Sequence, residues 1–241
     1  MNVFVIIPAA GLGTRMMTLK GGNNATAKQF TAVGGEPILR QTIRRFLASS
    51  QVKEIVVALR NSEAGRLQSW ILEEKLNSRV RTIEGGDHRQ RSVYNALRSL
   101  EAAKDDIVLV HDAVRPFVML ETINKVIVAV EKHGAAIAGL PAIDTVKQVE
   151  RTAGGAVVTS TIPRERIVLA QTPQGFHYGL LREAFDDAGA IDFLGTDESS
   201  LVERIGHSVH VVMGSPENFK ITTPADLQLA EFYAQQRTGL P

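Results

Sequence analysis

The sequence predicts an α/β fold in which a mostly parallel sheet is covered by helices on both faces. Two observations support it: short apolar runs typical of strands recur along the chain, and stretches with helical periodicity separate them. The strand-like runs are 3–7, 54–59, 80–83, 107–111 and 135–140. The helical stretches are 38–48, 63–76, 92–100 and 123–130. In such sheets, ligands bind beyond the carboxyl ends of the strands.

The helical pattern is clearest in residues 38–48. Four apolar residues share one face of this stretch and three arginines take the other. The apolar residues are Ile38, Ile43, Phe46 and Leu47, and the arginines are Arg40, Arg44 and Arg45. Such a helix buries one face against the sheet, as the predicted fold requires.

The pattern changes after Pro141. Two short strand-like runs, 145–150 and 156–161, are joined by a turn that contains Gly154 and Gly155, and they predict a β-hairpin. This arm is either a surface hairpin or a segment that pairs with a second subunit, and the pattern alone leaves both interpretations open.

The remaining elements return to alternation. They are a strand near 167–170, a helix near 178–188, a strand near 208–213 and a helix over 224–235. Pro224 suits the first turn of the last helix. Because no linker, repeat or low-complexity segment divides the chain, we predict a single domain over residues 1–241, with an arm at about 142–166.

The composition limits the function. The 241 residues contain 44% hydrophobic side chains, enough for a substantial core, and the 27 basic and 26 acidic residues leave a net charge of +1. This balance gives no support for a nucleic-acid or membrane-surface role. The absence of cysteine excludes disulfides, thiol nucleophiles and zinc–thiolate sites. It is compatible with a reducing compartment, and we expect a cytoplasmic location.

The apolar N-terminus predicts a strand rather than a targeting segment. Pro8 interrupts the run, and the first positive side chain is Arg15, whereas a secretory signal needs a basic start and a longer apolar stretch. No window approaches 18 uninterrupted apolar residues, so we expect no membrane span.

The residues that follow the first strand indicate a phosphate site. A buried strand that leads into a glycine turn presents backbone N–H groups to phosphate oxygens. The turn contains Pro8, Ala9, Ala10, Gly11 and Gly13, and the cations Arg15, Lys20 and Lys28 follow. Taken alone, the Gly-x-Gly is an ordinary tight turn and each cation a surface charge. Together they predict a nucleoside triphosphate site, although the third glycine of the dinucleotide fingerprint and the Walker pattern are absent.

Residues 85–92 form a second candidate segment. Gly85 and Gly86 allow a planar base to approach the backbone, and Asp87 and Ser92 offer hydrogen bonds. In the alternative interpretation, Asp87 caps the following helix and the arginines of the segment face solvent.

Residues 110–116 form a third candidate segment. Asp112 ends a buried strand, where a carboxylate is costly unless it meets a cation, a metal or several N–H groups. Mg²⁺ is usually held by one or two carboxylates and substrate phosphates, so Asp112 is a candidate ligand. Arg115 either binds a phosphate bidentately or forms a structural pair with Asp112. His111 is expected to pack in the strand rather than act as a base.

Weaker polar clusters lie further along the chain. They are Thr145 with Lys147, Arg164 with Arg166, Thr172, and residues 196–198. Taken singly, each cluster is typical of a loop or a helix cap. Lys220 stands in an otherwise apolar run and is a candidate to point into the cleft.

Eight short segments, taken in order, closely resemble the 2-C-methyl-D-erythritol 4-phosphate cytidylyltransferase family of the non-mevalonate isoprenoid pathway. They are residues 8–16, 28–30, 85–87, 111–116, 144–147, 172–174, 196–198 and 218–220. The resemblance covers residues 3–232. Each motif is loose, and their number and order make the match specific.

The resemblance implies a Rossmann-like three-layer nucleotidyltransferase fold. It implies an enzyme that transfers CMP from CTP to methylerythritol 4-phosphate and releases pyrophosphate. The implied CTP-binding residues are Pro8, Ala9, Ala10, Gly11, Gly13, Gly86, Asp87 and Ser92. The implied catalytic residues are Arg15, Lys28 and Lys220. The implied sugar-phosphate residues are Asp112, Arg115, Thr145, Arg164 and Lys220.

The resemblance also implies partners. Mg²⁺ is expected mainly on the phosphate oxygens, with Asp112 as a possible protein ligand. Thr145 and Arg164 are expected to reach the site of a neighbouring subunit, which favours a homodimer formed through the arm. No nucleic acid and no membrane are expected as partners.

One segment departs from the family pattern. Residues 17–27 are longer than usual, and Ala27 occupies the usual proline position. The insertion is rich in glycine and asparagine and is a candidate lid over the triphosphate, with Lys20 as a spare cation.

Two other functions remain open at this level. The same residues fit a cytidylyltransferase for another polyol phosphate, such as ribitol 5-phosphate, because only the sugar site would differ. A non-catalytic nucleotide-binding module is the alternative from another class, and the convergence of several cations argues against it.

Overall fold

The computed structural model of the chain describes residues 1–11 and 27–238. The described strands are β1 (Val3–Pro8), β2 (Ala32–Val33), β3 (Glu36–Pro37), β4 (Val52–Leu59), β5 (Val80–Glu84), β6 (Ile107–Val110), β7 (Ala135–Pro141), β8 (Val146–Thr152), β9 (Gly155–Ile162), β10 (Val168–His177) and β11 (His210–Met213). The described helices are α1 (Ile38–Leu47), α2 (Asn61–Glu73), α3 (Arg89–Arg98), α4 (Leu120–His133), α5 (Tyr178–Ala190), α6 (Glu198–Arg204) and α7 (Pro224–Thr238). Short 3-10 helices cover Lys28–Phe30 and Arg164–Arg166.

A seven-stranded sheet in the order β11-β7-β10-β6-β1-β4-β5 forms the centre of the molecule. Strand β10 is antiparallel to both of its neighbours, and the other pairs in this sheet are parallel. The predicted α/β fold with a mostly parallel sheet is therefore confirmed.

The alternation of side chains along β1 explains the three layers. Val3, Val5 and Ile7 point to the face covered by α1, α2 and α4, whereas Phe4 and Ile6 point to the face covered by α3, α5 and α6. Because both faces are buried, the strand is apolar at every position instead of every second one. A third, smaller cluster packs α7 against the segments near Val33 and Phe117.

A bulge interrupts β10. Ala170 pairs with Gly139 and Gln174 pairs with Ile137, so three residues of β10 lie opposite one residue of β7. The bulge lies between the exposed start of β10 and its buried end. It places the buried Thr172 beside the end of β6, where its hydroxyl accepts the N–H of Asp112, and the buried Gln171 against Ser215 and Asn218.

The hairpin predicted after Pro141 is present. Strands β8 and β9 pair with each other in a separate two-stranded sheet, and nearly all of their residues are exposed. The arm exposes apolar side chains, among them Val149, Val157 and Val158.

Three features of the fold were not predicted from the sequence: α6, the small β2–β3 pair, and the length of β10. Helix α6 has only seven residues, too few to show a clear helical period. Strand β10 contains Pro173 and Gly175, which signal a break in a strand. None of the described helices is long and apolar enough to cross a membrane.

Gly175 sets how closely α4 approaches the sheet. A Cβ at this position would lie 2.8 Å from methyl groups of Val126 and Val130 and 2.9 Å from Leu109. We predict that Gly175→Ala lowers the free energy of unfolding by about 1–3 kcal/mol, because these core side chains must shift. Denaturant titration measures the change.

Gly189 provides the matched control, since a Cβ there meets nothing within 4 Å and the residue lies in α5. Gly189→Ala is expected to leave stability equal or higher by up to about 1 kcal/mol, because alanine favours helix. Equal loss in both variants would contradict the close-approach argument.

Candidate active site

A cleft of about 320 Å³ opens at the carboxyl ends of β1, β5 and β6, where the three candidate segments meet. Among the residues expected to act in the site, those that line it are Pro8, Ala9, Ala10, Gly11, Lys28, Gly86, Asp87, Ser92, Asp112 and Lys220. Gly13 and Arg15, like Lys20, lie outside the described residues. Arg115, Thr145 and Arg164 are not among the lining residues.

The loop after β1 is held through its carbonyl oxygens. The amide of Gln29 donates to the Ala9 carbonyl at 2.7 Å, and Arg60 Nε donates to the Ala10 carbonyl at 2.8 Å. The N–H of Ala9 donates to Ala58 at the end of β4. Gln29 and Arg60 also line the cleft and were not predicted, since a side chain that binds a backbone carbonyl leaves no motif in the sequence.

The Gly85–Gly86 turn forms the opposite wall. A Cβ on Gly85 would lie 2.5 Å from the Cβ of Ala10, so the two loops touch only because residue 85 has no side chain. Ser92 fastens the turn: its Oγ accepts from the Gly86 N–H at 3.0 Å and donates to the His88 carbonyl at 3.1 Å.

Asp87 is not the cap of the following helix. The N-cap of α3 is His88, whose ring Nδ1 accepts the N–H of Arg91 at 3.2 Å. The carboxylate of Asp87 is 83% exposed and faces the cleft, where it accepts the N–H of His88. Asp87 therefore remains available to a ligand, and the capping interpretation is wrong.

Three cations surround Asp112 at the end of β6. Its Oδ1 lies 3.4 Å from Arg89 Nε, and its Oδ2 lies 3.2 Å from Arg115 Nε and 3.0 Å from Lys220 Nζ. Burial raises the pKa of this carboxyl, but the cations of Arg89, Lys220 and Arg115 outweigh burial and hold the pKa well below its usual range. Asp112 is therefore ionised near neutral pH.

Arg89 also binds a second carboxylate, which belongs to Glu198 at the start of α6. Nη1 and Nη2 donate to the two oxygens of Glu198 at 2.7 and 3.0 Å. Burial lowers the pKa of Arg89, but Glu198 and Asp112 more than compensate, and the pKa lies above its ordinary value. The interpretation that the arginines of residues 85–92 face solvent is wrong for Arg89, and the partnership with Glu198 was not predicted.

Arg115 lies behind Asp112 rather than at the surface of the cleft. Its side chain is 11% exposed, and its Nη1 donates to the Asn218 carbonyl at 2.7 Å. This is the structural pair that the sequence also allowed. A phosphate contact by Arg115 stays a prediction.

His111 is buried and fully hydrogen-bonded. Since the Arg115 carbonyl can only accept, Nε2 carries the proton and donates to it at 3.1 Å, and Nδ1 accepts from the Thr172 hydroxyl at 3.0 Å. Thr172 Oγ1 in turn accepts the N–H of Asp112. Burial lowers the pKa of His111 to about 4. The imidazole is neutral and occupied, as expected for a packing residue.

The described residues do not fit a metal ion bound to the protein alone. No group of three or more possible ligands among His, Cys, Asp and Glu occurs in the described part of the chain. Asp112, the one candidate proposed, has three cations around it, which would repel a divalent ion.

The arm residues lie apart from the cleft. Arg164 Nη1 donates to the Ile143 carbonyl at 2.8 Å at the base of the arm, and Thr145 precedes β8. The structure thus brings together the strand-end segments and Lys220, but not Thr145 or Arg164, within one chain.

Comparisons with known proteins agree on one family. The family model described as IspD, 2-C-methyl-D-erythritol 4-phosphate cytidylyltransferase, matches residues 3–236. A protein of that name from Acidobacterium capsulatum is 55% identical over 241 residues, which cover 99% of this chain and 100% of the relative. Another from Solibacter usitatus is 47% identical over 240 residues, 99% of this chain and 98% of the relative.

Solved structures agree with the sequence comparisons. A 4-diphosphocytidyl-2C-methyl-D-erythritol synthase from Anaerococcus prevotii has a TM-score of 0.81 and 30% identity, covering 97% of this chain and 98% of that one. A 2-C-methyl-D-erythritol 4-phosphate cytidylyltransferase from Thermus thermophilus has a TM-score of 0.76 and 33% identity, covering 98% and 100%.

The buried His111 predicts a specific acid sensitivity. An unfolded imidazole takes up a proton near pH 6.5, whereas folded His111 stays neutral down to about pH 4. Between these values the unfolded state binds more protons, so the free energy of unfolding falls as the pH falls. We expect a loss of about 3 kcal/mol from this group.

Denaturant titrations between pH 7 and 4 measure this loss. His111→Gln, which cannot take up the proton, is expected to flatten the pH dependence by about one proton. His207, which is exposed, provides the control, and His207→Gln should keep the slope of the unchanged protein. An unaltered slope in His111→Gln would contradict the argument.

Proposed function

This chain belongs to the 2-C-methyl-D-erythritol 4-phosphate cytidylyltransferase family, and from this premise we propose how its cleft carries out the reaction. The enzyme transfers CMP from CTP to the phosphate of methylerythritol 4-phosphate in the isoprenoid pathway and releases pyrophosphate. The observation that supports the mechanism best is the cleft itself. The loops that follow β1 and β5 line it together with the cations Lys28, Arg89 and Lys220.

The two loop walls are proposed to hold the cytidine. Ala9, Ala10 and Gly11 of one loop and Gly86 of the other all line the cleft. The space between these walls is proposed to take the planar base, with the exposed carboxylate of Asp87 as a hydrogen-bond acceptor and Ser92 holding the Gly86 wall in place. Gly13 completes the loop in the family pattern.

Lys28 and Arg15 are proposed to bind the triphosphate. Lys28 lines the cleft next to the loop after β1. The role of Arg15 rests on the family pattern. Their charges would offset the negative charge that builds on the α-phosphate and its leaving group as the transition state forms.

Asp112 and Lys220 are proposed to bind the sugar phosphate. The side chain of Lys220 is 37% exposed and lines the cleft, so its ammonium can attract the phosphate. The ionised Asp112 can accept hydrogen bonds from sugar hydroxyls. Arg115 fixes the positions of both residues. Its guanidinium donates to the carboxylate of Asp112 and to the carbonyl of Asn218, which lies two residues before Lys220.

The proposed chemistry needs no side-chain base. The second pKa of a phosphate monoester is about 6, so its oxygen is already ionised near neutral pH. That oxygen bonds to the α-phosphorus of CTP, the bond from the α-phosphorus to the bridging oxygen breaks, and pyrophosphate leaves. His111 is unsuited to the role of base because both ring nitrogens are occupied. The task of the protein is to align two anions that repel each other.

We propose that Mg²⁺ enters on the phosphate oxygens of CTP rather than on a protein carboxylate. The cations around Asp112 support this view, because they leave no negative site for the ion to occupy there. When bound, the ion would neutralise phosphate charge. The cytoplasmic location stays a prediction.

We further propose that the chain acts as a homodimer in which the arm reaches the partner's cleft. Val149, Val157 and Val158 are about half exposed on a hairpin that packs little against its own chain, which is an unfavourable arrangement in water. Thr145 and Arg164 lie apart from the cleft of their own chain, so a role in binding would require a second subunit.

The catalytic assignment predicts a loss of turnover. Lys28→Ala and Arg15→Ala are expected to lower kcat by about 10²–10³, because each removes a charge that stabilises the transition state. Pyrophosphate release from CTP and Mg²⁺ measures the rate, with methylerythritol phosphate and ribitol phosphate offered separately. Lys125→Ala, a change on the surface of α4, is the control.

The same assay tests the acceptor. Release with methylerythritol phosphate alone supports the proposed function. Release of pyrophosphate with ribitol phosphate alone would indicate a cytidylyltransferase for that polyol phosphate. No release with either acceptor would indicate a non-catalytic nucleotide-binding module. A folded Lys28→Ala or Arg15→Ala enzyme with unchanged kcat would remove that residue from its assigned role.

The dimer proposal predicts that two impaired variants restore activity when they are co-expressed and assayed at a methylerythritol phosphate concentration too low for either variant alone. Asp112→Asn damages the cleft and Arg164→Ala damages the arm, so a mixed dimer has one site with both defects and one intact site. Co-expression is expected to give about a quarter of the normal activity, since random pairing makes half of the dimers mixed. Absence of recovery would contradict an arm that acts on the partner's cleft.

A further inference from the structure

Glu198 is a charged group that the proposed mechanism does not use. Its side chain is 1% exposed, and it lies at the first position of α6, directly after the N-cap Asp197. Burial raises the pKa of its carboxyl, and Arg89 opposes that effect. A buried ion pair contributes little to stability relative to apolar residues of similar size, so stability alone gives a poor reason for Glu198.

The contact with Arg89 fixes the orientation of the guanidinium. Two parallel hydrogen bonds, at 2.7 and 3.0 Å, join Nη1 and Nη2 to the two oxygens of Glu198. A planar guanidinium held at two corners cannot rotate, and its third nitrogen, Nε, is therefore directed at Asp112 Oδ1, 3.4 Å away. Glu198 thus determines which edge of Arg89 faces Asp112.

The start of α6 is itself anchored to the sheet. The amide of Gln174 in β10 donates to Asp197 at 2.7 Å and accepts the N–H of Ser199 at 3.0 Å. A capping box between Asp197 and Ser200 closes the first turn of the helix. Glu198 therefore stands on a rigid support, and the position of Arg89 is defined by the sheet through it.

The arrangement divides the oxygens of Asp112 between its partners. Arg89 takes Oδ1, and Arg115 and Lys220 take Oδ2. Arg89 is paired with two carboxylates, Glu198 and Asp112. Without Glu198, the guanidinium would turn and bind both oxygens of Asp112. Asp112 would then be withdrawn from Lys220 and from a ligand in the cleft.

We infer that Glu198 is a positioning residue for the sugar-phosphate half of the site, which acts through Arg89 on Asp112. The inference rests on the proposed role of Asp112 in binding methylerythritol phosphate. It assigns a function to Glu198, which belongs to the polar cluster at residues 196–198 but is not among the residues that line the cleft.

Steady-state kinetics of Glu198→Gln test the inference. This variant keeps the size of the side chain and removes its charge. We expect KM for methylerythritol phosphate to rise about tenfold while KM for CTP changes less than twofold. Glu203→Gln, an exposed position on the same helix, should leave both values unchanged. If Glu198→Gln does not fold, Arg89→Lys replaces it, because lysine keeps the charge but cannot bind two carboxylates through a planar fork.

A double-mutant cycle with Asp112→Asn separates positioning from a structural role. If Glu198 acts through Asp112, Glu198→Gln adds no further rise in KM once Asp112 is changed. Additive effects, or equal changes in KM for both substrates, would overturn the inference. An Asp112→Asn enzyme with normal KM would refute the proposed role of Asp112 and the inference with it. A raised KM in Asp112→Asn, with none in Glu198→Gln, would overturn the inference alone.

Discussion

A carboxylate buried at the end of β6 stays ionised only if cations reach it, and this constraint organises the site. Asp112 draws Arg89 from α3, Arg115 from its own turn and Lys220 from the segment before α7. These three segments are distant in the sequence, and the charge of Asp112 keeps them together at the floor of the cleft. In the proposed mechanism Lys220 also attracts the sugar phosphate, since the substrates are anions that must approach each other.

The interactions around Asp112 also set the protonation of its neighbours. The Asp112 N–H donates to Thr172, and the Thr172 hydroxyl donates to His111, whose remaining N–H goes to the Arg115 carbonyl. Each donor has one acceptor in this chain of contacts, so the tautomer of the histidine is fixed. The site thus has a charged layer that faces the cleft and a neutral hydrogen-bonded layer beneath it.

Much of the fold and part of the site could be predicted from the sequence. Apolar runs separated by amphipathic stretches predict a parallel sheet, and the carboxyl ends of parallel strands share an edge, so the turns at residues 11–15, 85–92 and 112–116 were expected to line one cleft. The structure confirms the fold class and places Gly11, residues 86–89 and residues 112–114 at one cleft, whereas residues 12–15 lie outside the part of the chain that it describes. The family and its activity, inferred from the order of the motifs, are confirmed by the comparisons.

The remaining parts of the site depend on contacts that no local pattern reveals. Glu198 belongs to the polar cluster at residues 196–198, but its partner Arg89 lies 109 residues away, so the cluster alone does not reveal the ion pair. Gln29 and Arg60 act on backbone carbonyls, which every residue carries. Asp87 was ambiguous because a cap and a ligand contact need the same side chain, and only the position of His88 decides between them.

The bulge in β10 separates the pairing of the arm's base from the pairing of the core. Before it, the strand belongs to the base of the arm; after it, Gln174 pairs with both β6 and β7 and so fixes the alignment of the core half. Because the bulge lies between the arm and Gln174, a change of length or sequence in the arm does not alter how Gln174 pairs with its neighbouring strands. A change in the arm is therefore expected to leave the pairing of the buried half of the strand, and the positions of Thr172 and Gln174, unaltered.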